Sequence, residues 1–360
     1  VTNRPRWGVN TAVSRRSVLI GLGAVGAFLA VDLGAVAYAN KWIGSGATPK
    51  TFLDGFLAVN GPQLGFRKNH AKGLAVSGYF EANGNAQPLS RAEVFRPGQV
   101  PVVGRFSLSG GDAHAPDTPG AARGLGLAFG FPESWQWRTA MLNLPVFPDN
   151  SPRGFYDRLL ASKIVPGTGK ADPAVMNAFL NAHPETAAAM AIIKKQPPSV
   201  GFGDSTFRSL NTFYFVDESD ARTPVRWSLV PQQGTAPAPR SGDANGLFDA
   251  LIRQLRAGPL RWHLLVTVAE PGDPLTDATL PWPADRRTID VGLLTLTTAT
   301  TEAPGNARDI NFDPLALPDG IEPSADPLLS VRSDVYAESY RQRTGEPKSP
   351  PPVQLSEVGA

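Results

Sequence analysis

Tyr336 follows Arg332 by four residues and precedes Arg343 by seven, so a helix through this stretch carries all three side chains on one face. A phenol held between two guanidiniums is a candidate tyrosinate, because nearby positive charge favours the ionised form that burial alone would oppose. Tyrosinate is a hard anionic ligand suited to ferric iron. Far upstream stands His70, an imidazole able to take and return a proton near neutral pH. In the run Pro101 to Leu108, strand alternation puts Arg105 and Ser107 on one face and Val102, Gly104 and Phe106 on the other.

The elements that must position these groups are mostly short strands. Candidates are Leu74–Glu81, Pro101–Leu108, Gly124–Phe131, Leu142–Phe147, Thr212–Val216, Val225–Val230, Trp262–Glu270 and Val291–Thr298, a spacing that argues for a barrel or sandwich. Helices are expected over Pro173–Asn181 and Pro184–Lys195, each opening on a proline, and over the periodic apolar run Leu247 to Leu255. The fold class is α+β, with one principal domain over residues 41–345. The Pro-rich stretch 346–360 is expected to be unstructured.

Composition removes several chemistries. The 360 residues contain no cysteine, which excludes disulfides, thiolate ligation and a cysteine nucleophile. Four histidines leave little material for a multi-histidine metal centre. Gly and Pro, 36 and 35 residues, imply many turns. Arg4, Arg6, Arg15 and Arg16 precede an apolar run from Val18 to Ala39, and Ala37-Tyr38-Ala39 offers a small-x-small cleavage site. With Ser14-Arg15-Arg16 ahead of it, this run resembles a twin-arginine signal, and it is also long enough for a membrane anchor. Either case places the remainder in the periplasm or on the outer face of the cytoplasmic membrane. Residues 1–40 hold four arginines and one aspartate, so the formal charge falls from +2 for the chain to −1 for the rest. Without a basic excess there is no footprint for nucleic acid.

These segments follow one another in a known order. Arg67-Lys68-Asn69-His70-Ala71-Lys72-Gly73, running on to Gly78-Tyr79-Phe80-Glu81, resembles the segment that bears the essential histidine of haem catalases. Val103-Gly104-Arg105-Phe106-Ser107, Ala122-Arg123-Gly124-Leu125, Asn143-Leu144-Pro145-Val146-Phe147 and Asn311-Phe312-Asp313-Pro314 continue the resemblance. Arg332-Ser333-Asp334-Val335-Tyr336 and Arg343 close it. The resemblance implies an eight-stranded antiparallel β-barrel with surrounding helices and a b-type haem. Tyr336 would be the iron ligand and Arg332 the residue that keeps it a phenolate. Arg67, Arg105 and Arg343 would meet the haem propionates, Ser107 would fix the tautomer of a catalytic His70, and Phe147 and Phe155 would line the distal cavity.

Three departures refine the expectation. Leu142 stands where catalases carry a distal asparagine, and Asn143 is one residue along, pointing to the opposite side of an extended segment. Lys68-Asn69 replaces a usually apolar pair, and the sequence runs only briefly past Tyr336, which implies a shorter access channel. Together these favour a small catalase-related peroxidase acting on hydrogen peroxide, and on organic hydroperoxides, with an organic electron donor. A small true catalase and a non-catalytic haem-binding barrel stay open as alternatives. A monomer or homodimer is expected.

Overall fold

The computed structural model describes residues 48–359, apart from 198, 237 and 240–242. The expected signal or anchor in residues 1–40 lies outside the described residues. Among those described, no helix is long and apolar enough to cross a membrane.

The first helix, α1 (Pro49–Asn60), is started by a capping box: the Thr48 hydroxyl accepts from Thr51 N, the Thr51 hydroxyl accepts from Thr48 N, and Pro49 follows where no N–H is needed. Strands β1 (Gly73–Ala82), β2 (Gly98–Leu108), β3 (Arg123–Phe131) and β4 (Trp135–Leu142) come next. Helices α2 (Pro152–Ala161), α3 (Pro173–Ala182) and α4 (Pro184–Lys195) leave the sheet, and β5 (Phe207–Arg208), β6 (Phe213–Val216) and β7 (Arg222–Pro231) return to it. After α5 (Gly246–Ala257), β8 (Leu260–Val268), β9 (Thr288–Thr300) and β10 (Ile321–Pro323), the long α6 (Pro327–Gly345) begins, its first turn capped by Asp326.

Antiparallel pairing runs β1–β2–β3–β4–β5–β7–β8–β9 and back to β1, closing eight strands into a barrel, with six helices among the described residues. Closure leaves the ring no free edge, while β6 and β10 extend it from β7. The interior is filled by large apolar side chains, among them Phe80, Phe106, Phe129, Trp137, Trp227 and Trp262, with Phe129 and Trp137 stacked at 4.9 Å.

Two expectations need correction. The fourth strand is not Leu142–Phe147 but Trp135–Leu142, in which Trp137, Thr139 and Met141 alternate into the core; Pro145 and Pro148, lacking N–H donors, keep the following segment out of the ladder. Residues 346–359 are not a loose tail. Val353 is wholly buried, Val358 nearly so, Arg256 donates to the carbonyls of Leu355 and Val358, and the Glu346 carboxylate accepts from Lys68 Nζ at 2.8 Å. A few apolar residues in a Pro-rich run suffice for docking when side chains from elsewhere satisfy its carbonyls.

Candidate active site

The outer face of one barrel wall explains where a cavity forms. Register places Gly124 beside Ser107 and Leu142, and Gly126 beside Arg105 and Ala140, so small and functional residues share one face while Leu125, Leu127 and Phe129 fill the interior. A side chain at position 124 would come within 2.7 Å of Ser107 Oγ and 3.1 Å of His70 Nδ1, and one at 126 would meet the Phe312 ring at 2.8 Å. The glycines therefore keep this floor flat. Over it lies a cavity of about 1300 Å³ counted out to its open mouth, roofed by α1 and α6. Leu328, Val331, Arg332, Val335, Tyr336, Ser339 and Arg343 line it from α6 at three- and four-residue steps, the single face read from the sequence.

His70 precedes β1 in a left-handed backbone conformation, φ 54°, which costs a non-glycine residue about 1–3 kcal/mol and persists only where neighbours over-determine it. Those neighbours are present. Asn69 Oδ1 accepts from His70 N and Gly110 N, both at 3.0 Å, and Arg105 donates to the His70 carbonyl at 2.8 Å. The ring is fixed through Nδ1, 3.1 Å from Ser107 Oγ. Burial, followed by the charges of Arg105, Arg332 and Arg67, pushes the imidazole pKa down to about 3. A base that stays neutral across physiological pH is the result. An unfolded histidine takes a proton below about pH 6.5 whereas this folded one does not, so the haem-free protein should lose stability as pH falls from about 6.5 towards 3. Denaturant midpoints measured over that range should show the slope, and His70→Gln should remove part of it.

Tyr336 faces the cavity from α6. The guanidinium carbon of Arg332 stands 6.0 Å from the centre of its ring, held there by a 2.6 Å bond from Nη1 to Asn211 Oδ1, with Asn211 in turn donating to the buried Asp326 at 2.8 Å. Asn211 and Asp326, which sequence patterns did not single out, thus steady Arg332. Arg343 is buried, donates to the Arg308 carbonyl at 2.6 Å and lies 4.8 Å over the Tyr340 ring, so Tyr340 packs beneath it. Arg67 donates to the Ile310 carbonyl at 2.8 Å. Burial, then repulsion from Arg105 and Arg343, holds Arg67 well below the usual arginine range, and burial with Arg105 brings Arg343 down to about 10. Arg105 also lines the cavity. Its guanidinium is taken by Glu302 through Nε at 2.7 Å and Nη2 at 3.0 Å, because the turn after β9 brings that carboxylate against it.

Leu142 lines the cavity, whereas the buried Asn143 turns its Oδ1 to Arg123 N at 2.7 Å. The alternation at the end of β4 decides this, as the sequence led us to expect. Lys68 turns to Glu346 and Asn69 to backbone amides, so this polar pair braces the loop. Phe147 and Phe155 both line the cavity and stack at 6.1 Å, and Phe155 also meets Phe52 and Phe56 of α1. The α1 aromatics were missed from sequence; Thr48-Pro49 followed by Phe52 and Phe56 was the available signal.

The other histidines lie apart from the cavity lining. His114 is exposed against Phe66, His183 stands just before α4 with its ring on Glu185, and His263 pairs with Asp290 on the barrel exterior. Among the described residues no group of three or more His, Asp or Glu could hold a metal.

Known proteins with the same organisation can be compared. A catalase-related peroxidase of Synechococcus elongatus is 37% identical over 345 residues, covering 95% of this chain and 98% of the relative. Another, of Mycolicibacterium paratuberculosis, is 30% identical over 307 residues, with 83% and 96% covered. Catalase A of Saccharomyces cerevisiae superposes with a TM-score of 0.69 at 22% identity, covering 79% of this chain and 62% of that one, a likeness of fold. This chain therefore spans about three fifths of that solved catalase. The catalase family model matches residues 52–356, from α1 through the docked C-terminal stretch, and the chain belongs to the catalase family.

Proposed function

We propose that the protein is a haem-dependent peroxidase that reduces hydrogen peroxide, and organic hydroperoxides, at the expense of an organic electron donor. The observation that carries this reading is one cavity lined by both His70 and Tyr336, with three guanidiniums and one carboxylate at its edge. Arg67, Arg105 and Arg343 outweigh Glu302 by two charges, and haem, which members of the catalase family bind, brings two propionates. The flat floor at Gly124 and Gly126 fits a planar group as well. Tyr336 would hold the iron, and Arg67 and Arg343 the propionates, for which forked guanidiniums are well shaped.

Bound haem supplies a Lewis-acidic, redox-active iron at which the O–O bond of a peroxide is cleaved. The chain's own residues move the proton. With Nδ1–H donating to Ser107 Oγ, Nε2 of His70 is free to accept the proton from one peroxide oxygen and deliver it to the other, which leaves as water. Burial and the neighbouring guanidiniums keep the ring unprotonated, so its lone pair is available. Phe52, Leu53, Phe56, Phe147 and Phe155 give the cavity an apolar wall, which suits an organic donor better than a second small polar peroxide.

Simultaneous recording of donor oxidation and oxygen release from hydrogen peroxide tests the reading. Donor oxidation should dominate, since Leu142 offers no hydrogen bond to orient a second peroxide. Leu142→Asn restores one such bond, worth about 1 kcal/mol, and should raise oxygen release by roughly fivefold to tenfold. A wild-type protein that releases oxygen as fast without donor as it oxidises donor would instead be a small catalase.

A further inference from the structure

Glu302 is a buried carboxylate beside the His70 loop that the proposed proton transfer does not use. It follows β9, is only 4% exposed, and forms a forked pair with Arg105, which is itself 3% exposed. Burial pushes its carboxyl up, but the charge and hydrogen bonds of Arg105, with Arg67 and Arg343, draw it below the usual carboxylate range. It is therefore charged in the folded protein, with Arg105 against it at 2.7 Å and Arg67 at 3.7 Å.

The remaining donors of Arg105 go to backbone. Nη1 donates to the His70 carbonyl at 2.8 Å and Nη2 to the Ala71 carbonyl at 3.0 Å. The guanidinium can lie there only because position 73 is glycine: a Cβ would fall 2.3 Å from the guanidinium carbon. A guanidinium braced at one side by a carboxylate and donating at the other to two consecutive carbonyls fixes the peptide on which the imidazole hangs. That peptide is the one with φ 54°, where a brace is needed. Buried ion pairs are weak contributors to net stability but can fix a geometry.

Resting on the peroxidase reading of His70, we propose that Glu302 is a positioning residue: through Arg105 it holds the His70 backbone so that the imidazole keeps the orientation its proton transfer requires.

Glu302→Gln tests this, because it keeps the side chain's shape while removing its charge and one acceptor. Haem content should stay within about twofold, while the reaction with hydrogen peroxide slows by about 10- to 100-fold, the usual loss when the group orienting a reactive residue is removed. In haem-free protein, the His70 ring nitrogen resonances should move from a single-tautomer pattern towards an averaged one, a change that packing loss elsewhere would not produce. Glu302→Asp keeps the charge but shortens the reach, so it should fold where Gln fails and should recover part of the rate. Unaltered rates and resonances in either variant overturn the proposal, as does tighter haem binding at an unaltered rate, which would make Glu302 a competitor for the cofactor's carboxylates. Fast Glu302→Gln alongside slow His70→Ala sinks only this inference; fast His70→Ala sinks the reading beneath it.

Discussion

His70→Ala is expected to leave haem in place and to slow the reaction with hydrogen peroxide by about 10²- to 10⁴-fold, the range supplied by a positioned acid–base group. Retention follows from where the side chain sits: it lines the cavity from the barrel side, while Tyr336 and Arg343 line it from α6. Loss of rate follows from its environment. It is the histidine in the cavity lining, held neutral by burial and three guanidiniums, and its Nδ1 is fixed by Ser107. Stopped-flow mixing with peroxide at matched haem content measures the effect. Unaltered kinetics would leave the cavity a binding site and return the non-catalytic barrel to favour.

Tyr336→Phe is expected to act on the other wall. Phenylalanine fills the same volume against Arg332 and the α6 turn, so folding should survive, but the oxygen that would ligate iron is gone. Outer-shell partners of metal ligands already account for 10- to 100-fold in affinity, so removing the ligand itself should weaken haem retention by at least about 100-fold. Titration of haem into the haem-free variant reads this directly. Affinity equal to that of the unaltered protein would assign the iron to some other group. The paired outcomes matter together: rate lost with haem kept at 70, haem lost at 336.

Much of this arrangement was legible because it rests on local periodicity. Tyr336 and Arg343 share a helix face by spacing alone, and Arg105 and Ser107 share a strand face by alternation; both faces turned out to border one cavity. The same alternation separated Leu142 from Asn143. What escaped reading depends on tertiary closure. Glu302 sits in a polar turn after β9 with no pattern around it, and its meaning comes from Arg105, 197 positions away. Asn211 likewise meets Arg332 from 121 positions away and Asp326 from 115. The β4 boundary was misplaced because Asn143 to Phe147 carries apolar residues at strand density, while two prolines deny it a ladder. Proline content likewise hid Val353 and Val358, whose burial orders the stretch that reaches back through Glu346 to Lys68 on the His70 loop.

The most direct test of a tyrosinate-held haem working with His70 is the optical spectrum of the protein loaded with haem, followed through addition of peroxide and then of a chromogenic donor. The expected result is one haem per chain with a high-spin ferric spectrum, a spectral change on peroxide, and return to the starting spectrum as the donor is oxidised. A protein that takes up no haem, with no Soret band after loading, would contradict it, and the cavity between barrel and α6 would then belong to another ligand.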